Sequence, residues 1–141
     1  MNKIAVVYFI GTGNTEMMAN AIVDGAGEKG AKADVFAAED FSAFMMDDYD
    51  VIAFGCPAMG DEELEDSVFL PMFEPCRAKL NGKQIALFGS YDWGDGEWMR
   101  IWTDRVKNAG AEVVGGEGFT ANNTPDDDAL AKCKALGEQI K

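Results

Sequence analysis

A chain of 141 residues, 48% hydrophobic and 26% charged, has the material for one well-buried core and is expected to form a single domain over 1–141. Its 25 acidic residues against 12 basic ones give a formal net charge of −13, which disfavours nucleic acid and anionic membranes and favours basic protein patches as partners. There is no histidine, and Cys56, Cys76 and Cys133 lack CxxC or metal spacing, so a zinc site and a histidine-based triad are excluded.

Residues 3–9 read as a buried strand. The loop Ile10-Gly11-Thr12-Gly13-Asn14-Thr15 follows and feeds a helix over 15–28, with Met18, Ile22 and Ala26 on one face at four-residue spacing. Such a helix start favours a phosphate, because unpaired backbone N–H groups and the helix dipole both attract an anion. The loop has no lysine, so it is not a GxxxxGK loop, and Glu16 stands where GxGxxG requires its third glycine. What it offers is neutral: N–H groups and the Thr12, Asn14 and Thr15 side chains. The plain alternative is a strand-to-helix turn capped by Thr15.

Gly27 and Gly30 end that helix, and a short strand over 33–37 comes next. Residues 39–46 suggest a weak helix or an irregular crossover. Residues 49–55 form a third strand, too continuously apolar to be half exposed. A loop around Met59-Gly60 leads to helical pieces that Pro71 and Pro75 keep short, with Val68, Met72, Phe73, Cys76 and Leu80 as their core stripe. Residues 83–90 are the fourth strand. After the loop Tyr91-Asp92-Trp93-Gly94-Asp95-Gly96, a helix over 97–109 carries Trp98, Met99, Trp102 and Val106. A fifth strand over 111–119 is loosened by Gly115, Gly116 and Gly118. A polar loop over 121–124 precedes a last helix from Asp126, with Leu130, Cys133, Leu136 and Ile140 inward and three aspartates at its positive end. No apolar run approaches the roughly 20 residues of a membrane helix. No signal-peptide pattern precedes the first strand, so the cytoplasm is expected, with a monomer as the default state.

Strict strand–helix alternation predicts an α/β doubly wound fold on a parallel sheet with right-handed crossovers. Ligands in such sheets bind outside the carboxyl ends of the strands, where the strand order switches. The loops at 10–15, 56–62, 90–96 and 121–124 all open there. One is a phosphate cradle, one sets the soft Met59 side chain beside Gly60, and one flanks Trp93 with small residues. Together they describe a slot for a flat ring bearing a phosphorylated tail. Taken singly, Met59 reads equally as a loop anchor and Trp93 as a lid over the sheet edge.

The stretches YFIGTGNTEMMA (8–19), GCPAMGDEELEDS (55–67) and FGSYDWGDGEWM (88–99) closely resemble flavodoxins, in particular the short-chain type of anaerobic bacteria. The resemblance runs essentially end to end. It implies a five-stranded sheet in the order 2-1-3-4-5 with helices on both faces, and non-covalently bound FMN. Ile10, Gly11, Thr12, Gly13, Asn14 and Thr15 would hold the phosphate. Met59 would pack on the inner face of the ring system and Trp93 on the outer. The Gly60–Asp61 peptide would turn over on reduction to meet flavin N5, and Glu62 would meet the pyrimidine edge. Pro57, Ala58, Ser90, Tyr91, Asp92, Gly94 and Asp95 would complete the surround, with Asn122 and Asn123 at the rim. The implied activity is that of a low-potential one-electron carrier, not an enzyme, cycling mainly between semiquinone and hydroquinone. Its implied partners are redox proteins with basic docking patches, of the ferredoxin type.

Three positions depart from the family pattern: Ile10 replaces a hydroxyl residue, Asp92 a frequent glycine, and Phe9 a tryptophan. Rival readings fail on particular residues. A phosphate-switched receiver domain would need acids after the first strand, and Ile10-Gly11 stands there. A cysteine phosphatase would need Cys-x5-Arg, and Glu62 stands six places after Cys56. A NAD-binding module could use Glu39 or Asp40 but lacks the third glycine. The runner-up is a flavodoxin-like FMN-dependent reductase, such as a quinone reductase, or a flavodoxin dedicated to a single oxidoreductase.

Overall fold

The computed structural model describes residues 2–9, 11, 13–59, 63–92 and 94–140. Strand β1 (Ile4–Tyr8) leads to helix α1 (Gly13–Glu28) and strand β2 (Ala33–Ala37). Two short 3-10 turns, Ala38–Asp40 and Ala43–Asp48, occupy the expected crossover before β3 (Val51–Gly55). Helix α2 (Phe69–Cys76), extended by a 3-10 turn, precedes β4 (Gln84–Tyr91) and α3 (Glu97–Asn108). Short strands β5 (Glu112–Val113) and β6 (Phe119–Asn122) lead to α4 (Asp127–Ile140).

Every strand pairing is parallel, in the order β2-β1-β3-β4-β5, with β6 also on β4. The 2-1-3-4-5 order therefore holds, with one correction: the single fifth strand expected over 111–119 is two pieces. Gly115 and Gly116 both take left-handed backbone (φ 80° and 82°), which breaks the extended run. The interrupted backbone still finds partners, since Val114 N–H donates to Ile85 O (2.9 Å) and Gly118 N–H to Thr103 Oγ1 (3.2 Å).

The alternation of side chains along the central strands divides the core in two. Ile4, Val6, Tyr8, Val51, Ala53, Ala86 and Phe88 face α1 and α4. Ala5, Val7, Ile52, Phe54, Ile85 and Leu87 face α2 and α3. On that second face Phe54 meets Phe73 edge-on (5.2 Å between centroids), and Trp102 does the same to Phe69 (5.5 Å). Helices α1 and α4 approach so closely that a Cβ on Gly25 would lie 2.0 Å from Lys134 O. One on Gly137 would lie 2.0 Å from Ile22 O. Cys56, Cys76 and Cys133 are free and buried, as small apolar core residues.

Gly25→Ala is expected to lower stability by about 1–3 kcal/mol through overpacking, although alanine favours a helix. Gly27→Ala, on the same helix with open space around it, should instead raise stability by about 0.5–1 kcal/mol. Urea unfolding of the two variants beside the parent chain distinguishes them.

Candidate cofactor site

The carboxyl ends of β1, β3, β4 and β6 run on into loops that hydrogen-bond to one another. Phe9 N–H donates to Gly55 O and Cys56 N–H to Phe88 O, both at 3.0 Å, so the ladder continues past the strands. Ala58 N–H donates to Ser90 O (2.9 Å), drawing the third loop against the fourth. Thr15 Oγ1 lies 3.3 Å from Ser90 Oγ, with both residues buried, and this ties the start of α1 to the end of β4. Asn123 N–H (2.7 Å) and Asn122 Nδ2 (3.4 Å) both donate to Tyr91 O, bringing in the last loop. Asn123 holds φ 57°, a conformation asparagine tolerates better than most residues.

The four sequence-predicted loops thus come together at one edge of the sheet. Among the predicted residues, Gly11, Gly13, Asn14 and Thr15 stand at the helix start. A Cβ on Gly11 would fall 2.2 Å from the Phe9 ring, so only glycine follows phenylalanine there without a shift. Pro57 is buried, Ala58 half-buried, and Met59 presents 39% of its surface to solvent. Ser90 and Tyr91 close β4, and the exposed Asp92, Gly94 and Asp95 follow in the loop after it. Asp95 also pairs with Arg100 at 3.0 Å. Ile10, Thr12, Gly60, Asp61, Glu62 and Trp93 lie outside the described residues.

The loop after β3 is closed by two bonds between Met59 and Glu63, at 2.8 and 2.9 Å. Its far end is held by a residue that composition does not single out. Glu65 is only 5% exposed, and its carboxylate accepts from Ser67 N–H (2.9 Å), Val68 N–H (2.7 Å), Phe69 N–H (2.8 Å) and the Ser67 hydroxyl. It caps α2 from outside the helix, satisfying donors that the first turn leaves unpaired. Glu65 N–H also donates to Cys56 Sγ (3.3 Å), which brings both ends of the loop to one point. Cys56 O in turn accepts from Trp98 Nε1 at 3.3 Å. The only trace of this in the sequence is an acid shortly before an apolar helix.

Burial alone would raise the Glu65 pKa, but the Ser67 hydroxyl and the three N–H donors outweigh it and bring it down to about 2. Burial pushes the Cys56 thiol up to about 12, so it stays protonated and unreactive.

The residues present fit a phosphorylated cofactor. The first turn of α1 supplies N–H donors beside a loop with no carboxylate before Glu16, and nothing lies within 4 Å of where a Cβ on Gly13 would stand. Fold and site define a doubly wound α/β protein whose carboxyl sheet edge offers a place for such a group.

The flavodoxin family model matches residues 6–137. The flavodoxin of Megasphaera elsdenii is 47% identical over 135 residues, 96% of each chain, and that of Clostridium beijerinckii 42% over the same shares. The solution structure of two-electron reduced Megasphaera elsdenii flavodoxin superimposes with a TM-score of 0.86 over 97% of each chain, at 46% identity. The chain belongs to the flavodoxin family. It is an FMN-binding electron carrier and not an enzyme. Among the described residues no helix is long and apolar enough to cross a membrane.

Glu65 carries the pH prediction of this site. Its pKa is depressed in the folded state, so its contribution is full above about pH 4.5 and is lost as pH falls toward 2. The linked contribution at neutral pH is on the order of 3 kcal/mol. Glu65→Gln should therefore be less stable at pH 7 and lose less of its remaining stability between pH 4.5 and 2. Urea midpoints measured across that range test it; parallel pH profiles would contradict the cap.

Proposed function

We propose that the chain carries electrons one at a time between redox proteins with basic docking patches, using FMN held across its four carboxyl-edge loops. The observation that carries this reading is the convergence of those loops on Ser90 and Tyr91. Gly11, Gly13, Asn14 and Thr15, with Ile10 and Thr12, hold the phosphate. Because the Thr15 side chain is buried against Ser90, its share comes through the backbone N–H, while its hydroxyl fixes the loop. Met59 and Trp93 flank the ring system, and Pro57, Ala58, Gly60, Asp61, Glu62, Ser90, Tyr91, Asp92, Gly94 and Asp95 enclose its edges, with Asn122 and Asn123 at the rim. Bound FMN supplies the redox chemistry, taking up and releasing one electron at a time.

The chain's own contribution is position and field. The acids in the loops after β3 and β4 make each added electron less favourable and so lower the working potential. The same acids steer a basic partner toward the exposed edge. The setting is the cytoplasm, and the working form a monomer.

Anaerobic reduction followed by absorption should show two separate one-electron steps; a single two-electron step would move the assignment to an FMN-dependent reductase. Ser90→Ala, which leaves the buried Thr15 hydroxyl without this partner, should weaken FMN binding about two- to twelvefold. Quenching of flavin fluorescence on titration measures this, and unchanged affinity would detach Ser90 from the cofactor site.

A further inference from the structure

An apolar groove lies between the 3-10 turns that follow β2 and helix α2, on the second face of the sheet. Its volume is about 600 Å³, and Phe41, Val68, Pro71, Met72 and Pro75 line it. Phe44 stands at its side with 76% of its surface exposed, more than any other large hydrophobic among the described residues. The turn Ala43–Asp48 buries Met46, and this places Phe44 outward. Pro71 and Pro75 stiffen the opposite wall and offer no N–H, so the wall reads side chains rather than an added strand.

The rim is negative. Glu39 lines the groove, and Asp40 follows it in the chain. Both are exposed, and neither is ion-paired among the described residues. The neighbouring cations are engaged elsewhere, Lys79 with Asp47 at 2.8 Å and Arg77 with Glu74 at 3.0 Å.

We infer that this groove docks a protein partner that inserts an apolar side chain beside Phe44 and sets lysine or arginine against Glu39 and Asp40. A second copy of the chain is the poorer occupant, because it would bring two surfaces of net charge −13 together, acid against acid. The groove is separate from the residues assigned to the cofactor, so docking there does not require FMN.

The test uses the full chain, labelled with 15N, and amphipathic helical peptides of about 14 residues, a length that presents a complete apolar stripe. A leucine–lysine peptide should shift the amides of 38–44 and 66–75. Its Kd should rise at least about tenfold against Phe44→Ser, and likewise when serine replaces its leucines. Replacing its lysines by glutamate should abolish binding. Shifts spread evenly over the acidic surface, an unchanged Kd with Phe44→Ser, or equal binding of the glutamate peptide would overturn the inference. So would a concentration-dependent dimer in sedimentation that Phe44→Ser dissolves, since that gives the groove to a second copy. Flavin absorption enters none of these readouts, so failure here and failure of the carrier reading are distinguishable.

Discussion

Two buried hydroxyls, Thr15 Oγ1 in the first turn of α1 and Ser90 Oγ at the end of β4, meet at 3.3 Å. Strands β1 and β4 are not neighbours; β3 runs between them. The contact therefore adds a direct tie between the start of α1, which leaves β1, and the end of β4, beyond the ladders that run through β3. Ser90 adds a second tie through its carbonyl to Ala58, and Tyr91 a third to the asparagines. Removing either hydroxyl takes this one bond away, at a net cost of about 0.5–1.5 kcal/mol. The spacing of the site depends on this knot more than on any single loop.

The charge pattern around it is uneven in a useful way. The loop that would meet a phosphate carries no side-chain charge, so an anion there relies on aligned N–H groups and the helix dipole. The loops after β3 and β4 are acidic. One carboxylate about 10 Å from a newly placed electron costs roughly 0.8 kcal/mol at an effective dielectric near 40. In the proposed function, several such groups would favour the oxidised side while the neutral cradle would hold the phosphorylated tail.

Much of this was legible in the residues. Uninterrupted apolar runs announced β1, β3 and β4, and the four-residue spacing of Met18, Ile22 and Ala26 marked the buried face of α1. The four loops stood out because small, hydroxyl, amide or acidic residues follow directly on the apolar strands there. The break in the fifth strand was visible merely as loosening, because periodicity does not say which glycine adopts positive φ. Glu65 was invisible among its acidic neighbours, since being buried and fully bonded is a property of tertiary placement, not of residue type. The pairing of Thr15 with Ser90 was hidden likewise, as a contact between a helix and a strand 75 residues away leaves no local pattern. The family resemblance, by contrast, rested on motifs long enough to place the whole chain.

The broken fifth strand has a consequence for how the molecule behaves among its own kind. A parallel sheet ends in rows of unpaired N–H and C=O groups, and a long flat edge invites another chain to add to it. Here that margin is divided into Glu112–Val113 and Phe119–Asn122, with left-handed turns at Gly115 and Gly116 between them. Neither piece is long enough to template an incoming strand, and the N–H of Gly118 is already bound to Thr103. The interruption is a built-in guard against edge-to-edge aggregation.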